Sequence, residues 1–144
     1  MRGLLASPLL TVQGRIALLG RFVFALLMVP GLAGAAEYHT HFAVADEAAR
    51  SQGAPWIEDY RAAVRSFETS EDTYPAIAEF NYLALDGSMA AAIRLCAIYA
   101  YGVESEVNPI AGLFWCGKAY EAGYSAAGGI RRDLFLTYWP HYEG

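Results

Sequence analysis

The sequence predicts an all-α domain built from helical repeats, and three observations carry this prediction. Apolar residues after position 54 recur at three- and four-residue spacing, and no alternating run is long enough to indicate a strand. Proline and glycine separate these segments. Gly87 and Gly123 each follow an apolar segment of helical spacing and precede an alanine-rich one. A repeat of about 20–50 residues is typical of stacked helical units that cannot bury their apolar faces alone.

The first 35 residues differ from the rest of the chain and predict a secretory signal peptide. They contain three arginines, no acidic residue and an apolar run from Phe22 to Ala33, followed by the small-x-small pattern Ala33-Gly34-Ala35. The apolar run is shorter than the roughly 20 residues that span a bilayer. We therefore expect a cleaved signal and a periplasmic or secreted protein. The alternative is an uncleaved N-terminal segment that anchors the protein in the inner membrane.

The charge of the remaining chain excludes one class of partner. All fifteen acidic residues but only seven of the ten basic residues lie after Ala36, which gives this part a net charge of about −8. Nucleic acids and anionic lipids are bound by clustered lysine and arginine, and an acidic surface repels them. We expect no nucleic-acid partner, and contact with a membrane only through the signal segment during export.

Two helices are predicted before Gly87, after an N-terminal stretch. Residues 36–53 form a tail or hold a short helix from His41 to Arg50, which the Gly53-Ala54-Pro55 break ends. The first of the two helices begins at Pro55, because proline fits the first helical position, and its apolar residues continue to Phe67. The second begins at Pro75 and ends at Asp86-Gly87-Ser88.

Three more helices are predicted in the C-terminal half. The first ends at Gly102, and the next runs from Asn108-Pro109 to Gly123. Asparagine is a good N-cap, and the missing N–H of proline costs nothing in the first turn. The last helix covers residues 125–138, before Pro140 stops it. The helical domain is therefore predicted over residues 54–140, with a C-terminal tail at 141–144.

Residues 71–123 resemble the Sel-one-like repeat, a bacterial relative of the tetratricopeptide repeat. That family pairs an alanine-rich helix, which begins after a glycine and ends at a glycine turn, with a second helix that contains a small residue, a tryptophan, a Lys-Ala pair and a closing glycine. The positions in register are Gly87, Ala91, Leu95, Tyr99, Gly102, Gly112, Trp115, Lys118, Ala119 and Gly123. The resemblance implies a short α/α solenoid of antiparallel helical hairpins, with one full repeat, one partial repeat and capping helices.

The departures from the family pattern concern the two cysteines and two arginines. Cys96 stands where the family has glycine, and Cys116 where it has an aromatic residue. Beyond Gly123 the register fails, because Arg131 and Arg132 occupy the positions of a Leu-Gly pair. We interpret this as a terminal cap with a polar outer face, since the last unit of a stack has no neighbour to cover it.

The cysteines predict a disulfide inside the hairpin. The turn lies near residues 105–106, which places Cys96 and Cys116 at similar distances on its two sides, and a Cα separation of about 4.4–6.8 Å would allow a bond. Gly112 is the expected close neighbour of Cys96, with Cys116 one turn beyond it. The alternative is that both cysteines are free and serve as small apolar residues.

Two further sets of residues are candidates for a site. His39 and His41 lie near the predicted cleavage point. Cleavage after Ala36 would make His39 the third residue of the new chain, and a free amine with histidine third could bind copper or nickel. The Ala33-Gly34-Ala35 pattern favours a cut one residue earlier, which would spoil that spacing, and the alternative is a solvated tail. Tyr138 and Trp139 lie near the end of the last helix. They either cover the open end of the stack or form a docking patch with Tyr142.

These observations favour an exported helical-repeat module for protein–protein interaction, an adaptor or scaffold with no catalytic activity of its own. No nucleophile elbow, zinc-protease helix or glycine-rich phosphate loop is present in the sequence. We expect no enzyme activity and no cofactor, and an unidentified protein or peptide as partner; a homo-oligomer is an open alternative. The alternative function is a small exported metal-binding protein that uses the N-terminal histidines.

Overall fold

The computed structural model describes residues 32–142, with side chains from residue 37 onward, and this part of the chain is all-α. It contains six helices and no strand, so the all-α part of the prediction is confirmed for these residues. The helices are α1 Leu32–Gln52, α2 Trp56–Thr69, α3 Tyr74–Leu85, α4 Met89–Tyr101, α5 Pro109–Glu121 and α6 Ala126–Tyr138. The bounds of α2 to α6 agree closely with those predicted from the prolines, glycines and apolar spacing.

Local sequence signals fix the ends of the central hairpin, α4–α5. The Ser88 side chain accepts a hydrogen bond from the backbone N–H of Ala91, and Asn108 does the same for Ala111. Each N-cap thereby satisfies one of the donors that a helix leaves unpaired in its first turn. Gly102 ends α4 with φ of 68°, a left-handed conformation that favours glycine. The α4–α5 connection is therefore short and well defined.

Helix α4 lies at the centre of the domain. It packs against α1, α3 and α5, and nine consecutive residues, from Ala90 to Ile98, are buried. A helix that is buried nearly all round needs apolar residues on every face, and α4 has one charged residue, Arg94. Helices α2 and α3 pack against each other, and α6 covers α5.

The Cys96–Cys116 disulfide joins α4 to α5, as predicted. The two Cα atoms are 4.5 Å apart and both side chains are fully buried. The prediction that Gly112 lies against Cys96 is wrong, however. A Cβ atom at Gly112 would lie 2.8 Å from Leu134 Cδ1 of α6 and 3.5 Å from the backbone nitrogen of Ala100, one turn beyond Cys96. Because the helices run antiparallel, pairing Cys96 with Cys116 moves Gly112 opposite Ala100.

Helix α1 is longer than the short helix predicted between His41 and Arg50. It begins at Leu32, and the residues that it buries are mostly small: Ala45, Ala48 and Ala49. A narrow alanine stripe gives little amphipathic signal, which is why spacing alone did not define this helix. The predicted signal peptide lies outside the described residues except for its last four, which belong to the start of α1. None of the described helices is long and apolar enough to cross a membrane.

Candidate functional site

A groove runs between α5 and α6 on the outer side of the last hairpin; we call it the α5–α6 groove. Its volume is about 540 Å³. The side chains that line it are Leu113 and Tyr120 from α5, and Arg131, Arg132, Phe135 and Leu136 from α6. Leu136 and Tyr120 are more than half exposed. The groove thus joins exposed apolar side chains to two of the few basic residues of an acidic domain.

Two glycines allow the groove to form between closely packed helices. A Cβ atom at Gly117 would lie 3.7 Å from the guanidinium carbon of Arg131, so this guanidinium lies against the backbone of α5. A Cβ atom at Gly128 would lie 3.1 Å from the ring of Tyr120. Any larger side chain at residue 128 must displace that ring or project into the groove. The small residues therefore shape the floor of the groove.

The aromatic residues at the end of α6 lie beside this groove. Phe135 stacks on Trp139 and meets Tyr142 edge to face, each at a centroid distance of 6.0 Å. Tyr138 and Tyr142 are 45% and 72% exposed. These residues do not cover the core, because Ala127, Ile130 and Leu134 already supply the buried face of α6. Of the two alternatives for the aromatic tail, the exposed patch agrees with the structure; we call Phe135, Tyr138, Trp139 and Tyr142 the aromatic cluster.

The residues that carry the family resemblance lie in the core, at helix ends or on the surface outside the groove. Ala91, Leu95, Trp115 and Ala119 belong to the core. The glycines at 87, 102 and 123 all have positive φ at helix ends, where other residues are strained. Tyr99 is partly buried against the core, while Lys118 is exposed and pairs with Glu121 at 3.5 Å. These positions explain packing, and none of them lines the α5–α6 groove.

The two histidines proposed as metal ligands lie in different surroundings. His41 is only 8% exposed, and its ring nitrogens contact the hydroxyls of Tyr124 and, at 3.1 Å, Tyr101. A neutral imidazole has one donor and one acceptor, so one tyrosine donates to the ring and the other accepts from it. His39 is exposed and packs on the Tyr38 ring. Because this part of α1 is helical, a planar site at His39 would require its first turns to unwind.

Burial lowers the pKa of His41 below its ordinary value, although the Glu37 carboxylate acts in the opposite direction. Burial also raises the pKa of both Tyr101 and Tyr124, so the two hydroxyls stay protonated at neutral pH. Within residues 37–142, no three His, Cys, Asp or Glu side chains are grouped so as to hold a metal ion. The His41 contacts therefore join α1 to the end of α4 and to the α5–α6 connection.

We expect the domain to lose stability as pH falls below about 6.5, because of His41. The folded protein binds this proton less tightly than the unfolded chain does, so the contribution of His41 is complete above the unfolded pKa and is lost as pH falls toward the folded pKa. Urea unfolding should therefore give a lower free energy of unfolding at pH 5.5 than at pH 7.5. In the control variant His41→Gln this pH dependence should be flatter; an unchanged slope would contradict the assignment to His41.

A buried arginine on α4, which was not identified from the sequence, forms the second polar network. Arg94 is 1% exposed; its Nε donates to the Tyr60 hydroxyl at 2.9 Å and its Nη2 to Asp46 Oδ1 at 3.1 Å. The Tyr60 hydroxyl donates to the same Asp46 oxygen at 2.7 Å. Burial raises the pKa of Tyr60, which keeps this donor protonated. The guanidinium carbon also lies 4.2 Å above the Phe42 ring.

The Arg94 network connects α1, α2 and α4. One guanidinium nitrogen, Nη1, has no hydrogen-bond partner among the described residues, and Glu68 approaches the other terminal nitrogen at 3.8 Å. A cavity of about 210 Å³ lies between α1 and α2 beside Asp46 and Tyr60. Arg94 itself does not line this cavity, so we assign the network to the packing of three helices.

The sequence carried only a weak signal for these networks. Arg94 is the lone charge in the segment MAAAIRLCAIYAY, and a charge surrounded by apolar residues indicates a buried partner without naming it.

The chain as a whole matches no protein-family model, no curated protein and no solved structure.

Proposed function

We propose that this protein is an exported helical-repeat module that binds a partner protein or peptide in the α5–α6 groove. It would act as an adaptor or scaffold, with no catalytic activity of its own. The observation that supports this proposal is the exposed apolar groove, which the aromatic cluster borders. Contiguous exposed apolar surface on a small domain is typical of an interaction site.

The residue types in the groove and the aromatic cluster are typical of protein–protein interfaces. Tyrosine, tryptophan and arginine are the residue types most often found to dominate binding energy at protein interfaces. The groove and the aromatic cluster contain Tyr120, Tyr138, Trp139 and the two arginines, on one helical hairpin. Because α5 and α6 pack on the disulfide-linked core, these side chains are presented on a firm base, which lowers the entropic cost of binding.

The proposal includes a short α/α solenoid of the Sel-one-like type. Its support is the antiparallel α4–α5 hairpin, whose core contains four of the residues in register with the family pattern: Ala91, Leu95, Trp115 and Ala119. Helix α1 packs on α4 and would act as one of the capping helices. The outer face of α6 is left for a partner.

Export is the second part of the proposal. The buried Cys96–Cys116 bond supports it, because structural disulfides persist in oxidising compartments and are rare in the cytosol. The basic and apolar leader sequence provides independent support from residues outside the described range.

A photocrosslinking experiment tests the groove. A benzoyl-phenylalanine residue at position 136, in the groove, should crosslink to a discrete partner when the full chain is expressed in its native cells. The same residue at position 85 provides a matched control, since Leu85 is also an exposed leucine but lies on α3. The substitution Leu136→Asp should remove the complex, because it places a charge among Leu113 and Phe135. Leu85→Asp should leave the complex intact.

The outcomes separate the proposal from its alternatives. Crosslinks at position 85 and none at 136 would place the interface on α3 and contradict the groove. A partner captured equally well by the wild type and by Leu136→Asp would also contradict it. Circular dichroism of both variants verifies that the helices are retained, so that a loss of binding can be assigned to the surface.

A further inference from the structure

The charges of the α5–α6 groove differ from those of the rest of the domain. After Ala36 the chain has seven basic residues, and four of them have a carboxylate oxygen within 4.0 Å: Arg50, Arg61, Arg94 and Lys118. Within residues 37–142, the other three, Arg65, Arg131 and Arg132, have none. Two of these three uncompensated arginines lie next to each other in this one groove.

The neighbouring acidic residue does not neutralise this pair. Asp133 follows directly on α6, but successive positions of a helix point about 100° apart, so residues 131 and 133 face nearly opposite sides. Asp133 is not among the residues that line the groove. The groove side of α6 therefore presents two positive charges without an acidic partner.

The side chains around these charges fit a ligand that has both an apolar group and a carboxylate. Arg131 lies against Gly117, so its guanidinium is held beside the apolar wall that Leu113 and Tyr120 form. Arginine offers several N–H donors in a planar fork that matches a carboxylate. The groove extends from residue 128 to residue 136, or about 12 Å along α6 at ~1.5 Å per residue. That length accommodates about four residues of an extended peptide at ~3.3 Å each.

From this geometry we infer that the partner is a peptide segment with an apolar side chain next to an aspartate or glutamate. The apolar side chain packs between Leu113, Phe135 and Leu136, while the carboxylate accepts hydrogen bonds from Arg131 and Arg132. This inference rests on the proposed function and names the chemistry of the same site. A protein whose own surface is acidic gains selectivity in this way, because its other faces repel an acidic segment.

Selection from a peptide library tests the inference with defined probes. Random peptides of about ten residues, displayed on phage, are selected on the immobilised full chain under oxidising conditions. We expect enriched peptides to combine leucine or an aromatic residue with an aspartate or glutamate. Synthetic copies should bind about tenfold more weakly to Arg131→Gln/Arg132→Gln than to the wild type in fluorescence anisotropy. The loss of affinity with rising salt should also be smaller for that variant.

The matched control is Arg61→Gln/Arg65→Gln, which changes net charge by the same amount on α2. Equal weakening by both double variants, or enriched peptides without acidic residues, would overturn the inference while leaving the groove as a binding site. Peptides that bind Leu136→Asp as well as they bind the wild type would overturn the proposed function itself, as would a selection that yields no peptide. A concentration-dependent dimer that Leu136→Asp abolishes would instead assign the groove to a second copy of the chain.

Discussion

Replacing Arg94 with alanine is expected to lower the free energy of unfolding by about 3–5 kcal/mol. The substitution removes both hydrogen bonds to Tyr60 and Asp46, the contact with the Phe42 ring, and the volume of a side chain that is 1% exposed. It also leaves the Asp46 carboxylate without its charged partner. A loss of this size is a large part of the stability of a small domain, and urea unfolding at pH 7.5 measures it.

Two further substitutions define what Arg94 contributes. Arg61→Ala serves as the control, since Arg61 pairs with Glu58 at 3.2 Å on the surface, and such pairs contribute at most about 1 kcal/mol. Arg94→Met keeps most of the volume and removes the charge. Because Asp46 is 41% exposed and can be hydrated, we expect methionine to recover more than half of the loss. Equal losses for Arg61→Ala and Arg94→Ala would contradict the network as a source of stability.

Removing the disulfide is expected to have the second largest effect. The bond closes a loop with a sequence separation of 20, and the double variant Cys96→Ala/Cys116→Ala should lose about 3 kcal/mol of unfolding free energy. Alanine suits both positions because they are fully buried in an apolar core. Thermal unfolding of the oxidised wild type and of the double variant provides the measurement.

The reduced wild type is the control for this substitution. If loop closure dominates, wild-type protein in excess dithiothreitol should unfold near the midpoint of the double variant. A double variant much less stable than the reduced wild type would indicate that the cavities left by the two missing sulfur atoms matter more than the bond does. A difference below about 1 kcal/mol between oxidised and reduced wild type would contradict the expected effect.

Helices α2 to α6 and the central disulfide could be predicted from the sequence because their signals are local. Prolines at helix starts, glycines at helix ends and caps such as Ser88 and Asn108 act within a few residues. The pairing of Cys96 with Cys116 was predicted because the two residues lie at similar distances along the chain from the turn between α4 and α5. The same reasoning placed Gly112 opposite Cys96, one helical turn from its observed neighbour Ala100. Residue spacing alone does not define the relative shift of two helices along their axes.

The polar networks could not be predicted in the same way, because their members are distant in the chain, and the groove depends on which faces of α5 and α6 remain exposed. Asp46 and Arg94 are separated by 48 positions, and His41 and Tyr124 by 83. No local pattern connects such residues. The exposure of the aromatic cluster could not be predicted for a different reason. Phe135 and Trp139 have helical spacing whether they face the core or solvent. Only the packing of Ile130 and Leu134 decides which face of α6 is buried.

Helix α1 precedes in the chain the helices that it contacts, and its contacts reach as far as the α5–α6 connection. Asp46 contacts α2 and α4, and His41 contacts the end of α4 and the connection between α5 and α6. During synthesis the Tyr60 hydroxyl of α2 emerges soon after Asp46, whereas Arg94 and the two tyrosines that contact His41 emerge later. A chain cut before Tyr124 keeps α1 but leaves His41 without one of its two hydroxyl partners. Such a fragment lacks a bond that holds α1 on the domain, so we expect a protease to digest it faster than the complete domain.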